Sequence, residues 1–260
     1  MVMRLQGKVV LITGASSGIG ALCAQKLSAE GAIPILTARS EKRLTQISQS
    51  IGGTHEWLKM DVTDVSEVQA SVEKIIAKYG KIDIVINNAG YGRFESFVEM
   101  PVSSFEDMMD VNYMGTVRVT KAVLPYMLEA GNGQIVNVAS MAGKIGTAKS
   151  VSYTATKHAV LGFSNALRQE YRKSGIHVTT INPGPIDTPF FEQADPDGGY
   201  IKNLRGFIMK PEYVADKIVE AIVRRKEEVN LPRSAAFGMR LYQLFPRFAD
   251  RLTYGLMNRK

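Results

Sequence analysis

The opening stretch of the chain confines it to a narrow set of folds. Lys8-Val9-Val10-Leu11-Ile12-Thr13 is an apolar, β-rich run that ends in Gly14-Ala15-Ser16-Ser17-Gly18-Ile19-Gly20, and residues 21–30 then read as a helix. A buried strand, a glycine-rich turn and a helix N-terminus together make a pyrophosphate site. The glycines let backbone amides approach the anion, and the helix end presents unpaired N–H groups to it. The alternation continues. Further strands are expected at 33–38, 56–60, 82–87, 134–138, 177–181 and 229–231, with helical stretches between them. Such an order argues for a parallel sheet of about seven strands covered on both faces. With 260 residues, 45% of them hydrophobic, the chain can bury a full core as one doubly wound domain. No repeat, low-complexity tract or linker divides it.

Chemistry is suggested by Tyr153 and Lys157, four residues apart and thirteen after Ser140. On a helix, positions i and i+4 share a face, so a phenol and an ammonium at this spacing sit side by side. An adjacent cation favours phenolate and pulls a tyrosine pKa down from about 10. A tyrosine tuned in this way can protonate a carbonyl oxygen or deprotonate an alcohol near neutral pH. The spacing also occurs at Tyr213 and Lys217, after Lys210-Pro211-Glu212, where no catalytic partner lies nearby in sequence. Context separates the two pairs. In open parallel sheets ligands bind beyond the carboxyl ends of the strands. Gly14, Asn87 and Ser140 each follow a predicted strand, and Tyr153 opens a predicted helix (153–174) just after the loop carrying Ser140. Tyr213 is expected to be a packing or surface tyrosine.

The glycine turn, Asn87-Asn88-Ala89-Gly90, Asn112 within Val111-Asn112-Tyr113, Ser140 with Tyr153 and Lys157, and Pro183-Gly184 occur in that order. The set resembles the short-chain dehydrogenase/reductase family over residues 7–231, nearly the whole chain. The resemblance implies a Rossmann-like doubly wound sheet of order 3-2-1-4-5-6-7. It implies hydride transfer between a nicotinamide and a carbonyl or secondary alcohol. In the implied scheme Tyr153 is general acid and base, while Lys157 lowers its pKa and holds the nicotinamide ribose. Ser140 stabilises the carbonyl oxygen and Asn112 supports a proton relay. Cofactor contacts are implied for Gly14, Ser16, Ser17, Gly18, Ile19, Gly20, Asp61, Val62, Asn88, Ala89, Gly90, Tyr153, Lys157, Pro183, Gly184, Ile186 and Thr188. The family usually forms homodimers or tetramers.

The form of the nicotinamide turns on one position. An acidic residue ending the second strand would bind the ribose 2′-hydroxyl and select NAD. Here that strand runs Ile35-Leu36-Thr37-Ala38-Arg39-Ser40, with an arginine at the bend. A guanidinium can pair a 2′-phosphate through two parallel bonds, so NADP(H) is expected, with Lys42 and Arg43 as secondary contacts. The substrate is expected to be a small-molecule carbonyl or alcohol of apolar or lipid-like character. Phe190, Phe191, Tyr200 and Ile201 could form one wall of its pocket, and Tyr91, Phe94 and Phe97 another. Closure would come from residues 185–205, which include the turn-rich Asp195-Pro196-Asp197-Gly198-Gly199. A 3-oxoacyl thioester is the alternative substrate, and a dinucleotide-binding sensor without turnover the alternative function.

The chain divides into a catalytic region, 1–231, and a C-terminal appendage, 232–260. The appendage holds six Arg/Lys and one acidic residue, five of the chain's net +7. Phe237, Leu241, Leu244, Phe245, Phe248, Leu252 and Leu256 form an amphipathic stripe that Pro246 should kink or split. The stripe suits an anionic membrane, or packing on its own subunit or a dimer partner; the second is preferred. Nucleic acid is not an expected partner, because the rest of the chain is nearly neutral and carries no recognition motif. Cys23 cannot form an internal disulfide, and no signal peptide or long apolar span is seen, so a cytoplasmic enzyme, in membrane contact at most peripherally, is expected. His55, His158 and His177 lack metal-ligand spacing, and no metal is expected.

Overall fold

A computed structural model describes residues 3–195, 198, 208–247 and 251. Seven parallel strands form one sheet: β1 Val9–Thr13, β2 Ile33–Ala38, β3 Glu56–Lys59, β4 Ile84–Asn87, β5 Gly133–Val138, β6 Ile176–Pro183 and β7 Glu228–Leu231. Their order is β3-β2-β1-β4-β5-β6-β7, as expected, with the reversal between β1 and β4. Among the described residues the α-helices are α1 Gly18–Ala29, α2 Glu41–Ser48, α3 Val65–Tyr79, α4 Val102–Met109, α5 Gly115–Glu129, α6 Val151–Glu170, α7 Phe190–Ala194, α8 Pro211–Val223 and α9 Arg233–Leu244, with further helical backbone past Phe245.

Strand periodicity sends alternate side chains into two cores. Val10, Ile12, Ile84 and Ile86 meet Cys23, Ala24 and Leu27 of α1 and Val214, Ile218 and Ile222 of α8 on one face. Val9, Leu11 and Val85 meet Val72 and Ile75 of α3 and Val119, Val123 and Met127 of α5 on the other. A sheet buried on both faces needs strands that are apolar throughout, and these runs are. Cys23 lies in the first core, where burial pushes its thiol up to about 12, so it is an inert packing group.

Two elements differ from the sequence reading in ways that matter at the site. Helix α6 begins two residues before Tyr153 and ends at Glu170, so the tyrosine sits within the first turn rather than at its start. Asp110–Met114 is a π-helical turn joining α4 to α5, with Asn112 at its centre. Helix α9 stops at Leu244, and helical backbone resumes at Pro246, which puts Phe245 at the expected break. The stripe fails at that point: Leu244 and Phe245 are exposed rather than packed on this subunit. Phe248, Leu252 and Leu256 lie outside the described residues, as do Tyr200 and Ile201.

Candidate active site

The carboxyl ends of the strands open onto a cavity of about 540 Å³ that crosses the reversal in strand order. At its centre the glycine turn after β1 passes under the loop after β4. Gly14 has φ +65, and a Cβ there would stand 2.8 Å from Ala89 Cα. Thr13 organises this crossing: its hydroxyl accepts from the backbone N–H of both Asn88 and Ala89 at 3.0 Å. The Asn88 side chain donates to the carbonyls of Thr13 and Gly14. Asn88 therefore fixes the glycine loop in addition to lining the cavity.

The turn delivers the start of α1 to the cavity. Its N-cap, Ser17, makes no side-chain cap bond, and the first turn carries no acidic residue. The first N–H groups of the helix thus remain available to an anion. Gly18, at φ +52, leaves the surface low; an added Cβ would point toward Thr188 at 3.6 Å. A cradle kept open by glycine at a helix N-terminus fits a dinucleotide pyrophosphate. Arg39, Ser40 and Arg43 line one end of the cavity with Asp61 and Val62; Lys42 does not. The Asp61 carboxylate is already engaged, accepting from Thr63 N and Thr63 Oγ1 at 2.9 Å.

At the other end stand Ser140, Tyr153 and Lys157. Ser140 follows β5 and caps a 3-10 turn at Met141–Gly143 by accepting from Ala142 N at 3.0 Å. Its hydroxyl donates to Pro183 O at 3.3 Å. Gly143 brings that turn onto α6, since a Cβ there would stand 2.7 Å from Lys157 O. Lys157 is 6% exposed; Nζ donates to Val138 O at 2.9 Å and lies 5.6 Å from the centroid of the Tyr153 ring. Burial lowers its pKa to about 8. Most of it stays protonated at neutral pH, as a cation meant to favour phenolate must be.

Asn112 lies behind the cavity wall and is fully buried. It accepts from Tyr91 N and donates to Tyr91 O, both at 2.9 Å, and donates to Thr156 Oγ1 at 3.0 Å. The π turn widens the helix enough to admit these contacts, a device common at functional sites. Gly90 separates Asn112 from Lys157: an added Cβ would meet Asn112 Oδ1 at 2.9 Å and Lys157 Nζ at 3.7 Å.

The structure brings almost every expected site residue to this cavity. Gly14, Ser16, Ser17, Gly18, Ile19, Arg39, Asp61, Val62, Asn88, Ala89, Gly90, Ser140, Tyr153, Lys157, Pro183, Gly184, Ile186 and Thr188 line it. Gly20 does not. A Cβ on Gly20 would stand 2.5 Å from Gly14 O and 2.7 Å from Asn88 Nδ2, so this glycine lets the loop close tightly on itself. The aromatic walls also resolve. Phe94 packs edge-on against Tyr153 at 5.8 Å and against Phe190 at 6.3 Å, and Phe190 lies 5.6 Å from Tyr153. Phe97 turns away onto Phe105. Met239 of α9 lines the cavity too. The apolar stripe could not reveal it, because Met239 falls between Phe237 and Leu241. Thr13 was legible only as part of the glycine turn.

Tyr213 and Lys217 repeat the local geometry, with the ammonium 5.8 Å from the ring centroid. They lie on α8, however, and Lys217 donates to Glu220 Oε2 at 2.7 Å. Neither lines the cavity that holds Ser140, Tyr153 and Lys157.

Comparison with known proteins agrees with this geometry. A short chain dehydrogenase family model matches residues 8–198. An uncharacterized oxidoreductase of Staphylococcus epidermidis is 37% identical over 221 residues, covering 85% of this chain and 93% of the relative. The 3-oxoacyl-[acyl-carrier-protein] reductase of Escherichia coli is 37% identical over 186 residues, 72% of this chain and 76% of the relative. Among solved structures, an actinorhodin polyketide ketoreductase with NADPH superposes with a TM-score of 0.79 at 31% identity, covering 86% of this chain and 95% of that one. The chain is therefore an oxidoreductase of the short-chain dehydrogenase/reductase family.

Proposed function

We propose that the protein is an NADP(H)-dependent carbonyl reductase, reversible as an alcohol dehydrogenase, acting on an apolar small molecule. The observation that carries it is the buried Lys157 ammonium beside Tyr153 in a cavity shared with Ser140. The nicotinamide, when bound, supplies or takes the hydride. The protein supplies position and protons. Ser140 Oγ offers a hydrogen bond to the carbonyl oxygen, where negative charge develops. Tyr153 gives that oxygen its proton in reduction and removes it in oxidation. Lys157 stabilises the phenolate left behind and is placed to hold the ribose. Asn112, through Tyr91 and Thr156, holds the wall behind Lys157 in register and supports the return of the proton.

Preference for the 2′-phosphate is supported by Arg39 and Arg43 at the adenosine end, where the nearest lining carboxylate, Asp61, is tied to Thr63. An apolar substrate is supported by Phe94, Phe190 and Phe191 around Tyr153. A second reading, a 3-oxoacyl thioester, is favoured by the name of the Escherichia coli relative. The test is NADPH consumption across ketones, aldehydes, steroids, 3-oxo esters and acyl-carrier thioesters, with NADH and Tyr153→Phe in parallel. We expect turnover of the apolar carbonyls, abolished in Tyr153→Phe although NADPH still binds. Turnover retained by that variant would refute the mechanism. Tight NADPH binding with no turnover of any substrate would favour a dinucleotide sensor.

A further inference from the structure

We propose that Lys144 and Glu228 are positioning residues for Ser140, closing a hydrogen-bonded circuit around the turn that carries its hydroxyl. The inference rests on the carbonyl-reductase reading of the site. The Ser140 hydroxyl has one proton. Here it is given to Pro183 O at 3.3 Å, longer than the usual O–H···O bond, while Oγ accepts from Ala142 N at 3.0 Å. To stabilise a substrate oxygen the proton must leave Pro183 O. The place of Oγ then depends on the Ala142 N–H, and so on the turn Met141–Gly143.

One side of that turn lies against α6, with Gly143 close to Lys157 O. The other side is tied to the edge of the sheet. Lys144, which ends the turn, pairs with Glu228 of β7, and their side chains are 15% and 37% exposed. The same Glu228 oxygen, Oε1, accepts from Asn230 Nδ2 at 2.6 Å. Asn230 Oδ1 in turn accepts from Asn182 Nδ2 at 2.9 Å, and Asn182 is fully buried on β6, next to Pro183. The path thus runs from Ser140 through the turn to Lys144, along β7 by Glu228 and Asn230, and back by Asn182 to the carbonyl that Ser140 touches. Burial alone would raise the Glu228 pKa. Hydrogen bonds from Lys144 and Asn230, with the charges of Lys144 and Arg168, outweigh it and hold the carboxyl below its usual range, so a carboxylate closes the circuit at neutral pH. Lys144 does not line the cavity, whereas Met141, Ala142 and Ile145 do, so its effect on the reaction passes through Ser140. An ion pair this exposed adds little to global stability, and breaking it should move the turn without unfolding the protein.

The test joins steady-state kinetics on an apolar ketone with hydrogen exchange of the NADPH-bound enzyme. We expect Lys144→Met and Glu228→Ala each to lower kcat about 10-fold, with KM for NADPH and the melting temperature nearly unchanged. The double variant should lose no more than either single one, because both break the same circuit. In a Ser140→Ala background Lys144→Met should change kcat less than about twofold, since no hydroxyl is left to position; a packing role would lower it equally in both backgrounds. Amide exchange at Ala142 and Gly143 should be roughly 10-fold faster in Lys144→Met. That arm is read without turnover. If the wild type turns over no carbonyl, the carbonyl-reductase reading falls, while exchange still decides whether the circuit holds the turn. The proposal is overturned by unchanged exchange, by an unaltered kcat in Lys144→Met, or by an equal loss with and without the Ser140 hydroxyl.

Discussion

The Lys157 ammonium is held at the foot of the cavity by one carbonyl, and burial brings its pKa to about 8. The folded protein therefore binds this proton less tightly than the unfolded chain does. The resulting loss of stability is fully present below pH 8 and is relieved as pH rises toward the ordinary lysine range. Lys157→Met should thus raise the melting temperature at pH 7 by ~2–6 °C, corresponding to about 1–2 kcal/mol, while turnover collapses. The gain should shrink at pH 10. A lower melting temperature at pH 7 would mean that Lys157 stabilises the fold, contrary to this account. Arg39 makes a different kind of contribution, specific to the ligand. Hydrogen bonds to charged groups are worth ~1.5–3 kcal/mol, so Arg39→Asp should shift the NADPH/NADH preference by roughly 10- to 150-fold toward NADH. Steady-state kinetics with both cofactors checks this, and an unchanged ratio would remove Arg39 from phosphate recognition.

At the scale of elements, the loop after β4 and the segment holding α7 close over Tyr153 as a pair. Phe94 N donates to Ala194 O at 2.8 Å, and the Phe94, Phe190 and Phe191 rings interlock. Gly92 leaves the space that lets them do so: a Cβ there would stand 2.7 Å from Phe190 Cζ. The obstructed atom is the tip of a rotatable ring, so Gly92→Ala should turn Phe190 aside without unfolding the loop. We expect KM for large apolar carbonyls to rise about 5-fold, equivalent to ~1 kcal/mol of lost packing, with kcat for a small ketone unchanged. Equal KM values for the wild type and Gly92→Ala across the panel would show that the rings do not select substrate. The sequence carried the aromatics of this clasp but not their pairing. Phe94 and Phe97 look alike three residues apart, and only the folded loop sends one to the cavity and the other to Phe105.

Across the whole molecule, the edge of the sheet opposite the site is tied by Asp83 just before β4. It accepts from Val9 N at 2.9 Å and from Lys8 at 2.8 Å, with Lys81 paired at 2.9 Å. Burial by itself would raise its pKa, but these donors outweigh burial and hold the carboxyl below the usual range. Its contribution is present above the unfolded-state pKa and is lost as pH falls through the lower folded value. Asp83→Asn should cost about 1–3 kcal/mol, read by urea unfolding at pH 7. The difference from wild type should narrow below pH 4, while specific activity of the folded enzyme is preserved. No change in stability at pH 7 would show that the clamp contributes nothing.

What the sequence by itself determined was local. Apolar runs at strand length, glycines after β1 and the order of strands and helices fixed the doubly wound sheet, and with it the edge onto which the loops after β1, β4 and β5 open; that the lining residue after β4 is Asn88, with Asn87 turned inward to Thr120 and Asn137, was not legible. Those signals survive in one dimension because turn chemistry and side-chain periodicity act between near neighbours. The tertiary structure decided everything that depends on burial or on approach between distant segments. It separated Lys157 from Lys217, whose distances to a tyrosine ring are nearly the same, by burying the one and pairing the other with Glu220. It packed Gly20 closely against the Gly14 carbonyl and the Asn88 side chain, and it placed Met239, outside the visible stripe, in the cavity wall. Desolvation and close approach are properties of the assembled surroundings, and no spacing along the chain encodes them.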